Sequence, residues 1–154
     1  MEMKFNSQIC TTREQSERLL ALGLKKETAD MSIEPDLEST YEAYYISVYP
    51  PSKRGIPAWS LHRLLSLLPQ SVKIGKNYYD LAFIQNEFVR LIDDIGDIYI
   101  YFDRDGIYES LLLCIEWLIK EGYFNKEYLV NQAEIEEHCK GVLEYLDYIR
   151  GEEE

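Results

Sequence analysis

Two acidic clusters have the residue types and spacing that could support metal chemistry. DDIGD at 93–97 has the DDxxD spacing at which carboxylates hold magnesium and substrate phosphates. That chemistry also needs a large helical cavity and a second metal motif, and the sequence indicates neither, so a polar turn is favoured. DRDG at 103–106 resembles part of a calcium loop, but loop position 12 falls on Leu112 instead of a glutamate. We expect DRDG to turn the chain and to place Asp105 as a helix cap.

Histidine and cysteine are too few and too scattered to predict a catalytic site. Glu134, His138 and Cys139 could share one helical face, but two or three ligands on one helix do not complete a metal site. His62 stands beside Arg63, and no serine or cysteine lies in a nucleophile elbow. Glycine-rich phosphate loops are absent as well. We therefore expect no cofactor, no metal and no enzymatic activity.

Composition predicts one globular domain. The chain has 154 residues, of which 46% are hydrophobic and 13% aromatic, and this is too apolar for a disordered chain. We expect a single domain over 1–150 with a disordered acidic tail at 151–154. The longest apolar run, 111–115, is far shorter than a membrane span, and the start MEMKFNSQ has no apolar stretch typical of a signal peptide. Three unclustered cysteines favour the reducing cytoplasm.

Charge is unevenly distributed along the chain, which carries a net charge of -12. Residues 27–42 contain six acids and no base, whereas residues 43–79 contain five bases and no acid. Two later segments, 80–131 and 132–154, carry net charges of -7 and -6. A basic middle between acidic flanks can steer a charged partner, or it can neutralise itself within the fold.

The element around which the chain is organised is a helix over about 107–121. Its polar residues Glu109, Glu116 and Lys120 share one narrow stripe, and apolar residues cover the rest of its circumference. Such a helix needs packing partners on several sides. The sequence therefore predicts that it lies buried at the centre of the domain.

The other predicted elements follow from periodicity, caps and turn residues. The helices span about 12–22 with a threonine cap, 57–69 with Pro57 in the first turn and Trp59 on the apolar face, and about 131–149. The strands are 41–49, a hairpin over 72–80 with its turn at 75–77, and 98–102. Residues 25–40 are interpreted as a loop with one helical turn near 28–31.

Residues 81–92 are ambiguous because both a helical stripe and a pair of strands fit their pattern. The preceding hairpin and the β-branched and aromatic content favour two strands that turn near 85–87. The fold class is then α+β, with an antiparallel sheet of about four strands and helices packed on one face.

Three segments resemble a family of small proteins from gut bacteria and their phages or integrated elements. They are ICTTREQSERLLALGLKKETADM at 9–31, PAWSLHRLLSLLP at 57–69 and IEWLIKEGYF at 115–124. Together they cover somewhat under a third of the chain, and the PAWSL block is the most distinctive. The family has no assigned activity, so the resemblance implies a biological setting and no catalytic residues.

Thirteen tyrosines suggest an interaction surface, because tyrosine buries a large area at low entropic cost. Tyr45 and Tyr49 would join Tyr99 and Tyr101 in one aromatic face if their strands were neighbours, unless another helix, such as the last one, covers that face. The favoured hypothesis is thus a non-catalytic protein-interaction module of a phage or mobile element that binds either another protein or a second copy of itself.

Charge suggests two alternative functions. An acidic protein could imitate DNA and occupy a host nucleic-acid-binding protein. Conversely, a basic and aromatic patch in 43–79 could bind an anion or single-stranded nucleic acid, although the overall acidity makes this partner less favoured. The basic residues of that patch are Lys53, Arg54, Arg63, Lys73 and Lys76.

Overall fold

The computed structural model describes residues 8–38, 43–84, 88–104 and 106–131. These residues form an α+β fold with two antiparallel sheets, and this confirms the predicted class. The helices are α1 (Arg13–Ala21), α2 (Leu61–Leu67) and α3 (Ile107–Lys120). A three-stranded sheet has the order β2-β1-β3, built from β1 (Met31–Pro35), β2 (Tyr44–Ser47) and β3 (Ile56–Ala58). A four-stranded meander follows the chain order through β4 (Ser71–Ile74), β5 (Asn77–Ile84), β6 (Phe88–Ile92) and β7 (Ile98–Asp103).

The four-stranded sheet contains the strands that the sequence predicted between 72 and 102. Gly75 adopts φ of 64° in the turn between β4 and β5, as a tight hairpin requires. The ambiguous stretch 81–92 is extended on both sides of its turn, so the two-strand interpretation is confirmed. The turn residues 85–87 lie outside the described residues. DDIGD also turns the chain as predicted: the Asp93 carboxylate accepts the Asp97 amide at 2.8 Å, and Gly96 has φ of 90°.

Helix α3 packs against β6 and β7 and against α1, and its burial confirms its central place in the core. Seven of its residues are buried, including Leu111, Ile115 and Leu118. The predicted polar stripe provides the contact with α1, because Glu109 Oε2 lies 2.6 Å from the Arg18 guanidinium and Glu109 Oε1 accepts from Gln15 at 2.9 Å. The apolar sides of α3 therefore enter the core while its polar stripe binds a neighbouring helix.

Residues 25–38 contain more regular secondary structure than the sequence predicted. A 3₁₀ turn lies at Lys26–Thr28, earlier than the turn predicted near 28–31, and β1, the central strand of the three-stranded sheet, follows it. The loop interpretation was wrong for Met31–Pro35, which form a strand. Hydropathy did not predict this strand, because Ser32 and Glu34 are polar and yet buried. Ser32 Oγ donates to the Tyr49 carbonyl at 2.9 Å, and Glu34 accepts from Ser52, so both polar side chains have partners inside the fold.

The segment around Pro57 is a strand where the sequence predicted the first turn of a helix. Within the part of the chain that the structure describes, β3 pairs only with β1, so it is an edge strand, where a proline is tolerated. Helix α2 begins after Ser60, whose hydroxyl accepts the Arg63 amide at 3.1 Å as an N-cap. Trp59 consequently lies between the strand and the helix, and not on the helical face to which it was assigned.

Helix ends mostly follow the predicted capping chemistry. Thr12 and Gln15 form a capping box on α1, and Gly122, with φ of 79°, follows Glu121, the C-cap of α3. The N-cap of α3 is Gly106. Asp105, the predicted cap, lies outside the described residues, as do the predicted last helix beyond Asn131 and the acidic tail at 151–154.

Candidate interaction surface

Strand β2 forms a free edge of the three-stranded sheet, since among the described strands it pairs only with β1. The register places Ile46 opposite Ile33 and Tyr45 opposite Glu34. The Asp36 amide donates to the Ala43 carbonyl at 2.8 Å, so residues 43, 45 and 47 direct their backbone groups towards β1. Because this direction alternates along an antiparallel strand, the N–H and C=O groups of Tyr44 and Ile46 point to the free edge.

The side chains along this edge are exposed and uncharged. Residues 44–49 (YYISVY), referred to below as the edge segment, contain three tyrosines and two β-branched aliphatic residues. All five of these large side chains are exposed, and the exposed fraction reaches 69% at Val48 and 73% at Tyr49. Proteins commonly protect sheet edges with charged residues, and the edge segment contains none. This combination is typical of a strand that pairs with another polypeptide.

A groove of about 450 Å³ runs beside the edge segment. Its walls are residues 8–13 on one side and Ile33 with Tyr44, Tyr45 and Ile46 on the other. The Arg13 guanidinium lies 5.6 Å from the centre of the Tyr44 ring, a cation–π contact that holds this ring at the groove wall. The groove is therefore mostly apolar and can accept side chains from a strand paired with β2.

Residues 52–55, referred to below as the basic loop, follow the edge segment. The buried Glu34 carboxylate binds this loop through Ser52. Glu34 accepts the Ser52 amide at 2.8 Å and the Ser52 hydroxyl at 2.6 Å. A Cβ at Gly55 would overlap the Glu34 carboxylate, which would then have to shift from its position against Ser52. The loop thereby presents Lys53 and Arg54 to solvent at the carboxyl end of the edge segment.

The opposite end of the edge segment has the opposite charge. Asp36 and Glu38 are exposed in the turn that leads from β1 towards β2, and the Asp36 carboxylate accepts the Glu38 amide at 3.1 Å. Arg13 is a basic residue near this end, since it contacts the Tyr44 ring. Its Nε atom lies 3.2 Å from the Glu17 carboxylate, which offsets the positive charge of Arg13. An acidic turn therefore precedes the neutral edge segment, and the basic loop follows it.

Protonation of Glu34 should weaken the contact that holds the basic loop. The Ser52 amide and then the Ser52 hydroxyl stabilise the ionised form of Glu34 and so lower the pKa of Glu34 below its ordinary value. A lowered folded pKa means that this stabilisation is present above the ordinary value near 4.5 and is lost as pH falls through the folded pKa. We expect the free energy of unfolding to fall more steeply below pH ~4.5 in the native protein than in Glu34→Gln, measured by urea titration. Parallel curves for the two proteins would contradict this role.

The four tyrosines predicted to form one face are split between the two sheets. Tyr45 and Tyr49 lie in the edge segment, whereas Tyr99 and Tyr101 lie on β7 of the other sheet. Tyr99 and Tyr101 do not share a face either, because a register shift at Leu91/Ile92 interrupts the alternation. The Tyr99 ring lies 6.4 Å from Trp117 of α3, while Tyr101 pairs with Arg90 and is exposed.

The basic residues predicted as one patch are distributed over separate places. Lys53 and Arg54 are in the basic loop, and Lys73 and Lys76 belong to the β4–β5 hairpin, where the Lys73 amine lies 5.6 Å from the Tyr78 ring centre. Arg63 is half-buried and its Nε atom donates to the Thr28 carbonyl at 2.7 Å. Lys26, which the sequence prediction did not include, lines a groove of about 340 Å³ together with Lys53.

A buried polar network around Trp59 is the main feature that sequence reasoning missed. The backbone of Trp59 bonds to Thr11 at both its amide and its carbonyl, and its indole N–H donates to the Thr28 hydroxyl at 2.9 Å. The Asp30 carboxylate accepts the Ser60 amide and hydroxyl, at 2.9 and 2.5 Å. These residues come from the segments 9–31 and 57–69, so the two most distinctive blocks of the sequence meet here as structural contacts.

The environments of Cys10 and Cys114 favour the protonated thiol. Burial, and then the nearby Asp30 carboxylate, raise the pKa of the Cys10 thiol, and burial raises the pKa of Cys114 to about 12. Within the described ranges no three His, Cys, Asp or Glu side chains are grouped so that they could hold a metal. In the same ranges, no helix has the length and apolar character needed to cross a bilayer.

Comparison with known proteins adds no relative to this picture. No protein-family model matches the chain, and neither a curated protein nor a solved structure is similar to it.

Proposed function

We propose that this protein is a non-catalytic interaction module that binds an extended segment of a protein partner at the free edge of β2. The observation that carries the proposal is the edge segment, where outward backbone groups at Tyr44 and Ile46 coincide with five exposed, uncharged side chains. Strand addition derives its affinity from main-chain hydrogen bonds and its specificity from pockets for alternate side chains. The groove beside Tyr44 and Ile46 would supply such a pocket.

The proposal assigns no catalytic role, because three described carboxylates that could take part in chemistry are engaged in structural contacts. Asp30 binds Ser60, Glu34 binds Ser52, and Asp93 caps its own turn. The proposed setting is the cytoplasm of a bacterium, where the protein is an accessory factor of a phage or integrated element. Support for that setting comes from the sequence resemblance and from Cys10 and Cys114, which are both free thiols.

Selection of peptides from a random displayed library tests this function with a defined probe. The bait is the full chain, used at high dilution, and binding of the selected peptides is then measured by fluorescence polarisation. We expect enriched peptides to be extended sequences rich in β-branched and aromatic residues and poor in proline. Ile46→Lys should raise their dissociation constants at least about tenfold, because a charge in an apolar, strand-paired position is costly.

A matched control is available on the other sheet. Tyr101 is also an exposed side chain on an edge strand, so Tyr101→Lys adds the same charge to a similar site outside the proposed surface. Peptide binding should survive this change. The proposal fails if no peptide is enriched, or if the selected peptides bind Ile46→Lys as tightly as the unchanged protein.

A further inference from the structure

The edge segment also has the features of a strand that pairs with its own copy. We infer that two chains form a symmetric dimer in which β2 of one chain runs antiparallel to β2 of the other. This inference rests on the proposed function and deepens it, because it names the partner as a second copy of this chain. The edge segment is flanked by opposite charges, with the acidic turn before it and the basic loop after it.

A two-fold axis brings these unlike ends together. In an antiparallel pair the amino end of one strand lies beside the carboxyl end of the other, so the acidic turn with Asp36 and Glu38 faces the partner's basic loop with Lys53 and Arg54. This contact between an acidic turn and a basic loop forms twice in the dimer. A parallel pair would instead place acid beside acid and base beside base.

The middle of the interface suits the same arrangement. Residues 43–52 contain no charged side chain, so pairing there desolvates no ion, although each chain carries a net charge of -12. Repulsion between more distant charges is weakened by salt, whose screening length is about 8 Å at physiological ionic strength. Nearby unlike charges at the two ends are therefore able to set the direction of pairing.

The backbone limits the register of this pair. Tyr44 and Ile46 direct their hydrogen-bonding groups outwards, and β2 ends at Ser47. With Ile46 facing Ile46 on the two-fold axis, these two residues form a hydrogen-bonded pair and Tyr45 faces Ser47 on each side. The two Ile46 Cα atoms would then lie about 5.5 Å apart, within the range that a disulfide spans.

Charge-reversal variants can show whether dimerisation depends on contacts between the unlike ends or on the net charge of the chain. Glu38→Lys makes the chain less acidic and Arg54→Glu makes it more acidic, but each turns two attractive contacts per dimer into repulsive ones. We expect either change to raise the dimer dissociation constant roughly tenfold in sedimentation equilibrium, and the double variant to restore it. If net charge alone controlled association, Glu38→Lys would tighten the dimer, and that result would overturn the inference.

Cysteine cross-linking tests the register independently. In a Cys139→Ser background, Ile46→Cys should give a disulfide-linked dimer under copper–phenanthroline oxidation, whereas Tyr101→Cys should stay monomeric on a non-reducing gel. A chain that stays monomeric in sedimentation and fails to cross-link through Ile46→Cys overturns the inference, yet loss of peptide binding in Ile46→Lys would still support the proposed function. A dimer that cross-links only through Tyr101→Cys and persists in Ile46→Lys would show that β2 is not the interface. That result would contradict both the dimer inference and the proposed function.

Discussion

Replacing Trp59 with alanine should lower the free energy of unfolding by about 3–5 kcal/mol. The indole is fully buried, contacts the core and donates to the Thr28 hydroxyl, so its removal leaves a large cavity and breaks that hydrogen bond, while the hydroxyl still donates to the Lys25 carbonyl. Domains of this kind have a total stability of about 5–15 kcal/mol, so the variant should be partly unfolded at 37 °C. Urea unfolding followed by Trp117 fluorescence, together with circular dichroism, gives the value.

Two milder changes separate packing from hydrogen bonding at this site. Thr28→Val keeps the shape but leaves the indole N–H buried without its acceptor and removes the hydrogen bond from the Thr28 hydroxyl to the Lys25 carbonyl, at an expected cost of about 1–3 kcal/mol. Trp59→Phe keeps an aromatic ring and removes the N–H group. A measured loss below 1 kcal/mol for Trp59→Ala would show that the network between segments 9–31 and 57–69 contributes little to stability.

The elements that the sequence predicted correctly are those in which the local residue pattern matches the burial seen in the fold. The α3 stripe of Glu109, Glu116 and Lys120 is continuous, and it binds α1 through Glu109 while Glu116 and Lys120 pair with each other at 2.9 Å. The meander was predictable for a related reason, because its hairpin turn at Gly75 and the DDIGD turn have strong local signals. Such elements depend little on contacts with distant parts of the chain.

The three-stranded sheet was harder to predict because distant partners stabilise it. β1 alternates apolar residues with Ser32 and Glu34, and these polar side chains are buried only because Tyr49 and Ser52 supply hydrogen bonds across the fold. No local pattern in 31–35 indicates those bonds. The same limit applies to Pro57, whose place in an edge strand depends on pairing with β1.

The candidate site shows the same division between local and distant information. Tyr45 and Tyr49 were identified from residue type alone, and they lie on the exposed edge. Their predicted union with Tyr99 and Tyr101 depended on which strands are neighbours, and that is decided by long-range pairing. The acidic segment 27–42 and the basic segment 43–79 were visible in the sequence, but the hairpin of β1 and β2 is what places their charges at opposite ends of one strand.

Truncating Ile115 in the middle of α3 should cost about 2–5 kcal/mol of unfolding free energy. Ile115 is fully buried in the core cluster, so Ile115→Ala removes three methyl or methylene groups from a densely packed interior. Alanine has the higher helix propensity, and this gain of a few tenths of a kcal/mol opposes the loss. Urea titration at equal protein concentration measures the net change.

Ile119 provides a control on the same helix, since it is only partly buried against the same cluster. Ile119→Ala makes the same chemical change with the same gain in helix propensity, so the difference between the two variants isolates burial. We expect Ile119→Ala to cost less than half as much as Ile115→Ala. Equal losses would mean that α3 is not enclosed more tightly at Ile115, and its central position against β6, β7 and α1 would then be wrong.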